Sequence, residues 1–170
     1  MGLARSKFTL HRNGEWSTKA NETYYGGSPA GVNKSGEIVK TNCTNLNLAR
    51  SNASAESFIG VFRDPSASVS SVLNNKSTLL IGCSIVTLQK NSANTNNTSI
   101  NNDGSPGQSG DDYPYDTSLA WDEGDRLFIN ASGVWVRTAT NAGDCHYGTV
   151  VKVGTNYLTV LFYGCPCTNT

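Results

Sequence analysis

Apolar positions along this chain alternate with polar ones over short runs, and glycine or asparagine interrupts most of the runs. A repeat of two is the signature of a β-strand with one face buried. YLTVLFYG (157–164) shows it best: Leu158, Val160 and Phe162 share one face, against Tyr157, Thr159, Leu161 and Tyr163 on the other. The short loop Gly154-Thr155-Asn156 joins this run to GTVVKV (148–153) as a hairpin. RLFIN (126–130) and VWVRTA (134–139) flank Asn130-Ala131-Ser132-Gly133. Asn first and Gly fourth suit a type I turn with a glycine bulge. That register puts Phe128, Val134 and Val136 on one face and Leu127, Ile129 and Trp135 on the other. A two-residue Ser-Gly turn would shift these sets, and the sequence leaves both registers open. In the bulged register both faces carry large apolar groups, so one belongs to the core and the other lies under a loop or a partner.

Upstream, GEIVKT (36–41) and SFIGVF (57–62) read as strands, the second with a bulge at Gly60. TLLIGCSIVTL (78–88) is one long strand or two broken at Gly82. Residues 64–75, DPSASVSSVLNN, open with Asp64 as N-cap and Pro65 at the first helical position, which predicts a short helix. YYGGSPAGVNKS (24–35) is turn-rich, and NLNLARSNASAE (45–56) reads as loop or a short irregular turn. KFTLHR and EWSTK around Asn13-Gly14 form an N-terminal hairpin with apolar groups on both faces, which must pack on the main body or on a neighbouring molecule.

The sum is an all-β domain, a β-barrel or β-sandwich of about seven to nine short antiparallel strands. Its organisation is an arm (1–20), a β-domain (21–164) with a long Asn/Ser/Gly-rich loop insertion (89–118), and a C-terminal tail (165–170). The insertion lacks the apolar groups to fold alone, which points to a neighbouring subunit as its support.

Composition adds to this picture. Asn, Ser, Thr and Gly supply 72 of 170 positions, as suits many turns between strands. Thirteen basic and 13 acidic residues cancel, and no basic run exists, so nucleic acid and anionic membranes are not expected partners. No run is long or apolar enough for a membrane span. The first residues carry no apolar signal-peptide core, and the five cysteines are odd in number and dispersed, which fits reduced thiols and synthesis in a cytosol. MGLARS fits a loose myristoylation pattern and eight Asn-x-Ser/Thr sequons occur, but a chain this rich in amide and hydroxyl residues generates such sequons by chance.

Candidate chemistry is sparse. Cys145 and His146 are adjacent, and neighbours on a strand point to opposite faces, so they meet as a nucleophile–base dyad only if the backbone turns sharply there. Cys165-Pro-Cys167 has a one-residue gap where zinc sites have two to four, so free thiols in a tail are preferred. Asp122, Glu123 and Asp125 surround Gly124, with Asp111, Asp112 and Asp116 upstream. An oxygen cage for calcium is the lesser reading there, because short acids around a glycine are ordinary turn chemistry and the EF-hand pattern is absent. No phosphate loop, dinucleotide fingerprint, nucleophile elbow or metalloprotease helix is found. The expectation is a non-enzyme with no catalytic residue, no cofactor and no metal.

The order of segments resembles one known family. SGEIVK, a short excursion and SFIGVF, then an acidic turn, GDRLFINASGVWV and YGTVVKVGTNYLTVLFYG are similar to head decoration (cement) proteins of tailed bacteriophages. The resemblance covers roughly 29–63 and 119–164 and is one of strand and turn order; the Asn-rich stretch and the CPC tail have no counterpart in it. It implies a β-rich structural virion protein on the capsid surface, commonly a homotrimer. Such a unit binds the major capsid protein at subunit seams, stabilises the shell against internal DNA pressure, and contributes no catalytic residue. Aromatic anchors for that docking are expected among Phe8, Trp16, Tyr24, Tyr25, Tyr113 and Tyr115, each with core packing or loop filling as its alternative. A carbohydrate-binding or adhesion module and a phage tail or head-fibre component are the competing readings.

Overall fold

The computed structural model describes residues 16–19, 24, 26–63, 76–77, 79–89, 114–142, 144–155 and 157–167. The expected Asn13-Gly14 turn, the helix at 64–75, most of the long insertion, and Phe8, Tyr25 and Tyr113 lie outside these residues.

Two antiparallel sheets face each other, and the architecture is a sandwich. The strands are β1 (Trp16–Ser17), β2 (Pro29–Val32), β3 (Ile38–Lys40), β4 (Ser57–Phe62), β5 (Lys76–Ser77), β6 (Leu79–Leu80), β7 (Ser84–Gln89), β8 (Arg126–Ile129), β9 (Trp135–Val136), β10 (His146–Gly154) and β11 (Tyr157–Cys167). One sheet runs β3-β2-β4-β6 and the other β7-β11-β10-β8-β9, with β1 and β5 as a small separate pair. A single helical turn, α1 (Cys43–Leu46), follows β3, and its Asn42 cap accepts from the Asn45 N–H at 2.9 Å.

The chain crosses between sheets at Gly82, whose φ of 83° is a left-handed conformation that glycine adopts without a Cβ penalty. The 78–88 run is therefore two strands: β6 pairs with β4, and β7 pairs with β11. Gly60 sits at a bulge as expected, since the register slips between Ala30–Gly60 and Gly31–Phe58. The 130–133 turn takes the bulged register. Gly133 has φ 71°, its N–H donates to the Asn130 carbonyl at 3.1 Å, and Phe128 pairs with Val136 and Ile129 with Trp135.

The space between the sheets holds Leu127, Ile129, Trp135, Tyr147, Val150, Leu158, Val160 and Phe162 from one side and Val61 from the other, with Phe58 and Leu80 packed against them. Burying each such side chain is worth about 1.5–3 kcal/mol, and that burial holds the layers together. The four-stranded sheet is also covered on its outer face, where Ala30, Ile38, Phe62 and Leu79 gather under Tyr24 and Trp16. The chain covers this second face itself.

Four sequence boundaries change. YYGGSPAGVNKS contains β2, an interior strand with β3 and β4 on its two sides. Pro29 is tolerated because it is the first residue of the strand. The described end of the arm belongs to the body, because Trp16–Ser17 pairs with Lys76–Ser77 and Thr18 bridges to Ile38. The tail begins later than residue 165, since β11 continues to Cys167, which pairs with His146. Likewise the insertion is stitched down by residue 114: the Trp135 N–H donates to the Pro114 carbonyl at 3.0 Å, and the Asp116 N–H to the Trp135 carbonyl at 2.9 Å.

Candidate docking face

The alternation that buries one side of β11 must present the other side outward. Leu158, Val160 and Phe162 are core, so Tyr157, Thr159, Leu161 and Tyr163 face away from it. On β7 the matching residues are Ile85, opposite Leu161, and Thr87, opposite Thr159. Ile85 is 70% exposed, and Leu161, Tyr157 and Tyr163 are partly covered. Thr149 pairs with Leu161 from the β10 side, and its hydroxyl is hydrogen-bonded to that of Tyr163. The Thr87 and Thr159 hydroxyls lie 3.5 Å apart. The result is a face of aliphatic, aromatic and threonine groups.

At the far end of this face His146 stands between Phe128 and Tyr163, with ring centroids 6.1 and 5.6 Å away. Burial, and then the Arg126 charge, hold its pKa below the usual histidine value. Its Nδ1 is buried without a hydrogen-bond partner among the described residues. The sign of the linkage follows directly. With the folded pKa depressed, the unfolded chain binds more protons as pH falls through the ordinary histidine range, so stability is lost on acidification. A melt at pH 7.5 and another at pH 6.0 should show a drop that shrinks in His146→Asn.

Cys145 packs toward the core cluster while His146 lies on the outward side, so the two side chains diverge as strand geometry requires. Burial is the main reason the Tyr147 hydroxyl pKa is raised, with added repulsion from Cys145, Asp144 and Cys43, so Tyr147 stays protonated. Asp144 is buried and accepts from Asn47 Nδ2 at 2.6 Å and from the Asn141 N–H at 2.7 Å. The first bond ties the loop before β10 to the chain just after α1, and the second closes the loop on itself.

The acidic stretch forms a turn clamped onto β10. The Asp122 N–H donates to Asp125 Oδ2 at 2.8 Å, and Gly124 takes φ 95°. The Gly124 N–H reaches the Val150 carbonyl, and the Val150 N–H reaches the Asp125 carbonyl, both at 2.8 Å. Asp116 Oδ1 accepts from the Ser118 N–H and hydroxyl. Among the described residues no three His, Cys, Asp or Glu side chains converge as metal ligands. An open cleft of about 270 Å³ lies beside the β10–β11 turn, lined by Tyr115, Thr117, Leu119, Trp121, Val153, Gly154, Thr155 and Leu158.

No family model, curated protein or solved structure matches the chain.

Of the aromatic anchors expected from the sequence, three are described, and they do not cluster on an open surface. Tyr24 is 6% exposed and stacks on Phe62 at 3.6 Å; Tyr115 is 5% exposed and sits edge-on to Trp121 at 6.1 Å. Both are core residues, Tyr24 in the outer cluster of the four-stranded sheet and Tyr115 in the cluster between the sheets. Trp16 is half-buried on the outer cluster of the four-stranded sheet. Ile85 and Leu161 were absent from that set of anchors. Their signal was present as strands with apolar residues on both alternating faces.

Proposed function

We propose that this chain is a structural virion protein that docks on the outside of a phage capsid, against the major capsid protein, and stabilises the shell. The observation that carries this reading is the outward face of the five-stranded sheet. There Ile85 is open to solvent and Leu161, Tyr157 and Tyr163 are partly exposed beside it, above a core of buried residues. Aromatic and aliphatic groups of this kind supply the central contacts of protein interfaces. The threonines between them add hydrogen bonds that salt does not screen. Copies seated on a rigid lattice engage several weak contacts together, so modest patches sum to firm attachment. The segment order shared with decoration proteins supplies the choice of partner, and the homotrimer of that family is part of the proposal.

A second reading, a carbohydrate-binding module, draws on the cleft where Tyr115 and Trp121 meet the hydroxyls of Thr117 and Thr155. Co-sedimentation with undecorated heads, built from the major capsid protein of the same virus, separates the two. Saturable pelleting that persists at about 0.5 M salt supports capsid docking. Failure to pellet, with binding on a glycan array, would replace it with the carbohydrate reading.

A further inference from the structure

We infer that β7 is a self-pairing edge, through which two copies of the chain join their five-stranded sheets about a two-fold axis. β7 ends the sheet order and pairs only with β11 among the described strands. Its six consecutive pairs, from Gln89–Tyr157 to Ser84–Phe162, contain no bulge, so the strand is regular throughout. In an antiparallel ladder alternate residues direct their N–H and C=O groups away from the existing partner, which leaves a row of donors and acceptors along the open side. Folded proteins block such edges with charge, proline, a bulge or a very short strand. The sequence Ser-Ile-Val-Thr-Leu-Gln has no charge and no proline, and it is six residues long.

Those features call for an extended strand as the occupant, and the composition of β7 points to its own copy. An identical strand brings identical charges, and here there are none to repel. The faces fix the register further. Residues directly opposite in a sheet share a face, so Ile85 and Thr87 must meet outward-facing residues, and Val86 must meet inward-facing ones. A register centred on Val86 meets both requirements. It sets Ile85 against the partner's Thr87 and places the half-buried Val86, at the rim of the core cluster, against its own counterpart. The core then continues from one sandwich into the next. A two-fold contact cannot close a ring of three, so it joins single chains, or trimers, in pairs.

Sedimentation velocity on the full chain, with no heads present, tests this. The wild type should contain an even number of 18.1 kDa chains. The double variant Ile85→Lys with Thr87→Lys changes two exposed side chains and places lysines opposite lysines across the axis; its assembly mass should halve while its melting temperature holds. Mixing it with Ile85→Glu/Thr87→Glu should restore the larger mass. A wild type with an odd number of chains, or a mass that the lysine variant leaves unchanged, overturns the pairing. Head binding is read separately, so that result would leave capsid docking standing.

Discussion

Trp135→Ala should cost about 4 kcal/mol, within the range found when a buried aromatic is truncated. At roughly 2–4 °C per kcal/mol for a chain of this size, the melting temperature should fall by about 8–16 °C. The indole is fully buried and joins the two layers. Its ring lies 5.1 Å from Phe162 and 6.0 Å from Tyr147 within its own sheet, and 6.2 Å from Phe58 of the opposite one. Its Nε1 donates to the Gly27 carbonyl at 2.7 Å, which fixes the chain entering β2. Removing the ring leaves a cavity and an unpaired buried carbonyl together. Trp135→Phe keeps most of the packing and loses the hydrogen bond, so its cost should be smaller, about 1–3 kcal/mol. Urea melts of both variants, with m unchanged, would check the ranking. Equal losses from Phe and Ala would show that the hydrogen bond, and not the packing, carries the effect.

Gly60→Ala should lose about 3 kcal/mol, from a methyl group alone. A Cβ at Gly60 would lie 2.2 Å from the carbonyl oxygen of Leu80. The obstacle is backbone of the adjacent strand, so no side-chain rotation relieves it. Its φ of 156° adds to the strain. Either β6 leaves β4 or the bulge rearranges, and both disturb the crossing into β7. The variant should therefore show faster amide exchange at Leu79 and Leu80 in addition to a lower melting temperature. Protection unchanged at those two amides would mean that the strain is absorbed elsewhere.

The β8–β9 hairpin was legible because its turn chemistry is local. Asn130 bonds the N–H groups of Ser132 and Val134 through its own side chain at 2.9 and 3.0 Å, and Gly133 takes the one conformation that favours it. The same holds for the acidic turn. β2 was not legible, because Pro29-Ala30-Gly31-Val32 has the composition of a turn and becomes a strand only through its neighbours. Gly31 shows why a small residue is needed there: an added Cβ would come within 2.8 Å of Thr41 Cβ and 3.2 Å of the Ser57 carbonyl. That requirement exists only once three strands are assembled. The choice between barrel and sandwich was hidden for a similar reason. Gly82 marks a break in the sequence, but the assignment of the flanking strands to different sheets is a long-range fact.

Two of the six expected aromatic anchors, Tyr24 and Tyr115, are taken up by the core. They come from turn-rich stretches, where an aromatic reads as exposed, yet both are buried, Tyr24 against Phe62 and Tyr115 against Trp121. Among the described residues the most open large apolar side chain is instead Ile85, on the regular strand β7, with the half-buried Leu161 opposite it on β11. Alternation in sequence announces two faces and does not say which of them the fold leaves uncovered.

On the proposed reading, the outward face of the five-stranded sheet is the surface that meets the shell. Head binding measured for the wild type and for Leu161→Asp tests it most directly, with melting temperatures recorded on the same samples. A charge placed among Ile85, Thr149 and Tyr163 should weaken binding at least about tenfold, a loss of roughly 1.4 kcal/mol or more, with the fold intact. Unaltered binding by a folded Leu161→Asp protein would contradict the account.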